Sequence, residues 1–273
     1  MTELDFYINC GYCKNQKFTE AKIPHSGARL DVQKIIAELD SLFAREDIAG
    51  AQKLLDSSLL EARRVGDKSC ELTLQSELMG FHRRTGDRDA ALRACDGGID
   101  LVTELRLGAT VSGATVLLNA ATTLAAIGES ERALGLFEQV LRVYSSNLDP
   151  EDYRFAGLYN NLGTAYSACR DFDRARGFYL AALELSARAQ NHEEAAVTHV
   201  NLAELYWDFG REDADEVAGE HVSAALFELE CSERRDGYHA FTCRKCAPTL
   251  DRLGYFFDAR KLNERADRIY EGN

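Results

Sequence analysis

Residues 158–166 read LYNNLGTAY, inside a segment whose apolar residues otherwise recur at helical spacing. In a helix interior Asn costs roughly 0.5 kcal/mol and Gly roughly 1 kcal/mol relative to Ala, so two adjacent asparagines and a glycine each need a reason. At about 100° per residue, Tyr159, Leu162, Gly163 and Tyr166 fall on one face. The glycine therefore lies in the packed stripe, where a missing Cβ lets a paired helix come close. Asn161 lies about 200° around the helix from Tyr159 and points away from that stripe. The glycine is expected to serve packing and the second asparagine a partner.

The same pattern recurs along the chain. Ala51, Ala91, Ala133, Ala175, Ala218 and Ala259 open equivalent apolar stripes, with successive differences of 40, 42, 42, 43 and 41 residues. Gly86, Gly128, Gly210 and Gly254 each stand five to eight residues before an alanine of this series, where a left-handed helix cap is expected. Two copies use ACRDFD and REDIAG at that place instead, and FGREDADEVA reads as a turn longer by three residues. Each copy is then helix, turn, helix, and the fold class is all-α, with about six hairpins and about twelve helices. One such hairpin cannot bury its stripe alone, so copies stack into a solenoid with a concave wall. Residues 29–273 are assigned to this solenoid. Residues 1–28 fit no repeat and form an irregular segment that caps the first hairpin, fills the groove or is mobile.

Composition narrows the function. The chain has 273 residues and a net charge of −13, a field that disfavours phosphate-rich partners; no nucleic acid and no membrane partner are expected. No run approaches the roughly 18 apolar residues of a membrane span, and MTELDFYINC lacks a basic stretch followed by an apolar run. Most of the 8 cysteines sit in helical stripes, which fits a reducing, cytoplasmic location.

The spacing of Tyr159, Leu162, Gly163 and Tyr166, followed by Ala175 and Tyr179, resembles the tetratricopeptide repeat, with Tyr in the usual tryptophan place. Leu202, Ala203 and Tyr206 repeat that phase, as do Ala120, Ala121 and Leu124 with Ala133 and Phe137. The resemblance spans about residues 30–273 and weakens at both ends, where Glu38 and Asn263 take positions that are normally apolar. A period near 42 and the absence of the helix-ending proline are similar to the long-helix variant found in kinesin light chains and in bacterial peptide-sensing regulators. The resemblance implies a right-handed α-solenoid that acts as a non-catalytic protein-interaction scaffold.

Asn119, Asn161 and Asn201 share one phase, 42 and 40 residues apart. A carboxamide both donates and accepts, so it can pair with one peptide unit of an extended ligand. In the family, the resemblance implies, asparagines at this position line the groove and hold a peptide backbone; the competing reading is that each bonds a neighbouring helix. The candidate peptide-binding set is Asn119, Asn160, Asn161, Asn201, Trp207, Arg244, Lys245, Arg83 and Arg84. Trp207 is a candidate rim anchor, and the basic residues favour an acidic peptide or a free carboxylate.

Two CxxC pairs stand apart: Cys10 and Cys13 in CGYC, Cys243 and Cys246 in CRKC. They are too far apart in sequence for a standard zinc spacing. Cys243 and Cys246 take the packed phase of Tyr159 and Leu162, so buried cysteines are expected there rather than metal ligands, and no cofactor is expected. His192 and His199 share a helix face without a metalloprotease arrangement. No catalytic constellation emerges, and the chain is not expected to be an enzyme. Three other readings stay open: a regulator that senses a small peptide, a metal- or redox-responsive protein built on the CxxC pairs, and a module that self-associates.

Overall fold

The computed structural model describes residues 29–210 and 213–272; the N-terminal segment, with Cys10 and Cys13, lies outside the described residues. Among the described residues the chain forms twelve helices and no strand. Two compact units meet in sequence at Leu148 and Asp149. The first holds α1 (Val32–Ala44), α2 (Ile48–Val65), α3 (Lys68–Thr85), α4 (Arg88–Glu104), α5 (Val111–Ala126) and α6 (Ser130–Asn147). The second holds α7 (Arg154–Ala168), α8 (Phe172–Arg188), α9 (His192–Phe209), α10 (Ala214–Cys231), α11 (Gly237–Arg252) and α12 (Phe256–Tyr270). Each unit is three hairpins of an all-α repeat solenoid. Within a unit, first helices of successive hairpins pack side by side: α3 with α5, α7 with α9, α9 with α11.

The sequence signals act where they were read. The six alanines of the series are all at most 3% exposed, because each lies on the second helix of a hairpin where its partner crosses. Helices start at side-chain caps: Asp47, Asp87, Thr110, Asp171 and Asn191 each accept a hydrogen bond from the backbone N–H three residues on, satisfying an N–H that has no partner inside the helix. Every hairpin turn contains one left-handed residue: Glu46 (φ 57°), Gly86 (75°), Gly128 (86°), Arg170 (63°), Gly210 (57°) and Gly254 (89°). The REDIAG and ACRDFD turns therefore keep the geometry of the glycine turns, at the cost of placing a side chain where glycine is favoured.

Gly163 is buried, and a Cβ built on it would lie 2.5 Å from the ring of Tyr179 on α8. Tyr179 is itself 3% exposed, and its hydroxyl meets Thr164 Oγ1 at 3.0 Å. The glycine of LYNNLGTAY is the floor on which this ring lies.

Candidate functional site

The three in-phase asparagines stand on the first helices of their hairpins: Asn119 on α5, Asn161 on α7 and Asn201 on α9. All three are half-buried. Asn119 Nδ2 donates to Ser76 Oγ on α3 at 2.9 Å. Asn201 Nδ2 donates to Asn160 Oδ1 on α7 at 3.3 Å. Both amides thus reach back one hairpin with the nitrogen arm, and neither carbonyl oxygen takes a hydrogen bond among the described residues. The side chain of Asn161 makes none there at all.

Asn160 departs from its sequence assignment. It is 5% exposed, its Nδ2 donates to Glu194 Oε1 and Thr198 Oγ1, both at 2.8 Å, and its Oδ1 accepts from Asn201. Both amide hydrogens and the carbonyl are spent, so Asn160 joins α7 to α9 and offers nothing to a ligand. Of the adjacent asparagines, the first ties two helices together and the second faces outward.

Beside Asn201 lies a cleft of about 340 Å³ lined by residues that include Thr164, Ser167, Tyr179, Glu204 and Asp208. Arg252 of α11 closes ion pairs with both carboxylates, Glu204 and Asp208, the latter at 2.9 Å. Burial, opposed by Arg252, raises the Glu204 carboxyl above its ordinary range. Arg170 donates to the Asp208 carbonyl at 3.4 Å and lies 4.3 Å over the Phe209 ring.

The other sequence candidates are dispersed. Arg244 is engaged by Asp267, and Arg83 donates to Thr123 at 3.2 Å. Arg84 stacks 4.1 Å over Phe43. Each of these cations is committed to its own fold. Lys245, in the asparagine phase of α11, is exposed and forms no ion pair among the described residues. Trp207 is 44% exposed.

Cys243 and Cys246 are 0% and 1% exposed. Burial pushes their thiols up to about 11 and about 12, so they pack as small apolar side chains. Among the described residues, no three His, Cys, Asp or Glu side chains gather where they could hold a metal ion. His192 pairs with Glu228 at 2.7 Å, and His199 Nδ1 meets His221 Nδ1 at 3.0 Å; the shared face of α9 is spent on binding α10.

One polar cluster has no signature in sequence. Glu193 is 3% exposed and accepts hydrogen bonds from Ser232 and from His239 Nδ1, the latter at 3.1 Å, with His239 fully buried. Burial alone would raise the Glu193 carboxyl, but these two bonds hold it down at about 2. Glu193 reads in sequence as an ordinary acid in the first turn of a helix, and its partner stands 46 residues away.

Two tetratricopeptide-repeat family models match the chain, over residues 116–151 and 154–214. No curated protein matches it. Among solved structures it is similar to BtubC (BKLC) from P. vanneervenii, at 21% identity over 89% of this chain and 92% of that one, with a TM-score of 0.54. It is similar also to the apo form of RapI, at 13% identity over 89% and 100%, with a TM-score of 0.62. A third is NprR in complex with its cognate peptide NprX, at 16% identity over 88% and 68%, with a TM-score of 0.53. At these identities the likeness is one of fold. The tetratricopeptide-repeat matches thus fall on α5 to α9, within a chain whose described residues form twelve helices in successive hairpins.

Proposed function

We propose that this chain is a non-catalytic interaction scaffold that binds an extended peptide segment along the first helices of its hairpins. The observation that carries the reading is the recurrence of a half-buried asparagine whose nitrogen arm is held by the preceding helix and whose carbonyl arm has no partner among the described residues, at Asn119 and at Asn201. A carbonyl oxygen fixed from behind is a pre-organised acceptor for the N–H of a ligand peptide unit. Asn161, in the same phase, keeps both arms for such a unit. NprR, similar in fold, was solved with a peptide, which supports the class of ligand.

The basic set does not act as a block in this reading, because Arg244, Arg83 and Arg84 are engaged within the fold. Lys245 alone supports a preference for a ligand carboxylate, while Glu204 and Asp208 favour a neutral or basic side chain at the cleft. Among the described residues no helix is long and apolar enough to cross a membrane, and the cytoplasmic setting is part of the proposal. The metal- or redox-responsive alternative draws no support from the buried thiols of Cys243 and Cys246.

The test uses peptides selected on the intact protein from a random library. In the tightest binder, N-methylating backbone positions one at a time should abolish binding at one or more positions where side-chain replacement by Ala is tolerated. Uniform tolerance of N-methylation would remove the asparagine carbonyls from the account.

A further inference from the structure

We propose that the pocket between the α10–α11 connection and the last turns of α12 binds a phosphate monoester or free phosphate. The pocket has a volume of about 520 Å³ and is lined by Arg235, Arg265, Arg268, Ile269 and Gly272. Three guanidiniums converge there on a protein whose net charge is −13. This site stands apart from the asparagine phase and does not depend on the peptide-binding reading.

The arginines are fixed in a way that leaves their ligand-facing edges free. Arg235 donates Nη1 to the backbone carbonyls of Ser232, at 2.7 Å, and Arg234, which leaves Nε and Nη2. Arg265 donates Nη1 to the Leu229 carbonyl at 3.4 Å and Nη2 to Glu230, which leaves Nε. Arg268 donates Nε to the Glu264 carbonyl at 3.3 Å, which leaves both terminal nitrogens. Two of the three positive charges are thus anchored on backbone carbonyls alone, with no carboxylate within salt-bridge distance among the described residues. Of the neighbouring acids, Glu230 engages Arg265, Glu264 engages Arg260, and Glu193 beneath the connection is matched by His239.

The geometry favours phosphate over a simple carboxylate. A guanidinium presents up to five N–H donors in a rigid fork suited to oxyanions. A carboxylate has two oxygens and can engage two such forks, whereas a phosphate monoester offers three acceptor oxygens and nearly two negative charges, enough for all three. The volume exceeds that of a bare phosphate, so an organic group attached to it can rest on Ile269.

Calorimetric titration of the full chain tests this, with inorganic phosphate, phenyl phosphate and malonate at constant ionic strength. The expected result is one saturable phosphate site, with phenyl phosphate tighter and malonate weaker. Replacing both exposed arginines, Arg235→Gln with Arg268→Gln, should weaken phosphate at least about tenfold while the circular dichroism spectrum is kept. Glu230→Gln should tighten it by freeing Arg265 Nη2, a gain that a merely misfolded variant does not give. Binding by phenyl phosphate no tighter than by inorganic phosphate would indicate a free-phosphate site. Malonate binding as tightly as phosphate, equal affinity in all three proteins, or no saturation in the millimolar range would overturn the proposal.

Discussion

Hairpin α7/α8 and hairpin α3/α4 reach the same close approach with opposite residues. In the first, Gly163 of one helix lies under the Tyr179 ring of the other. In the second, Met79 of α3 lies against Gly98 of α4, where an added Cβ would fall 2.2 Å from Met79 Cε. In both a large side chain faces a glycine, and the helix that supplies the glycine changes. What the repeat maintains is the volume of the pair, because close-packed interiors register even one methylene.

Both units bury polar side chains, and the carboxylate buried in the second gives the largest expected effect. Glu193→Ala breaks the buried contact with His239 and Ser232 and should destabilise the second unit by about 3–5 kcal/mol. The loss should depend on pH in a defined direction. The Glu193 carboxyl is held at about 2, below its ordinary 4.5, so its contribution is fully present above about pH 4.5 and fades as pH falls toward 2. Thermal melts of wild type and Glu193→Ala should therefore converge under acid, and a gap constant from pH 6 to pH 3 would contradict the assignment.

Next in size is the glycine comparison itself. Gly163→Ala drives a Cβ into a ring whose hydroxyl is tied to Thr164, and should cost about 1–3 kcal/mol. Gly98→Ala crowds Met79 Cε, the far end of a flexible side chain, and otherwise reaches Val116 and Gln75 at ordinary contact distance; the shift of that end and the roughly 1 kcal/mol gain in helix propensity should leave stability nearly unchanged. Equal losses in denaturant unfolding would break the idea that the two hairpins solve one volume problem differently.

Smaller again is the contrast among the asparagines. Asn119→Ala and Asn201→Ala each remove a hydrogen bond to the preceding hairpin and should lower stability by about 0.5–1.5 kcal/mol. Asn161→Ala should leave stability unchanged or raise it by about 0.5 kcal/mol. The smallest effect belongs to the turns: Glu46→Gly relieves a left-handed side chain and should stabilise by up to about 1 kcal/mol, after the extra backbone entropy of glycine is subtracted.

The array was readable because its signals are local and repeated: an alanine every 40 to 43 residues, a glycine before most of them, and a packed face of about 100°. The role of Gly163 followed from its phase. Asn160 was misplaced because phase separates outward from inward faces but does not reveal the amide-binding groups of α9, Glu194 and Thr198, more than 30 residues on. The partners of Arg244 and Arg83, Asp267 and Thr123, were not foreseen for a related reason, since a cation's partner on another helix is invisible to periodicity. The Glu193 cluster and the Arg235, Arg265 and Arg268 pocket are assembled from residues 30 to 46 positions apart on different elements, so no spacing rule points to them.

The measurement closest to the central claim is the affinity of a selected peptide for wild type and for Asn161→Ala with Asn201→Ala, taken alongside their melting temperatures. The account predicts a double variant that stays folded and binds weaker by about 1–3 kcal/mol, a loss of roughly 5- to 150-fold. Unchanged affinity in a folded double variant would contradict it and leave Asn201 as a helix-to-helix tie alone.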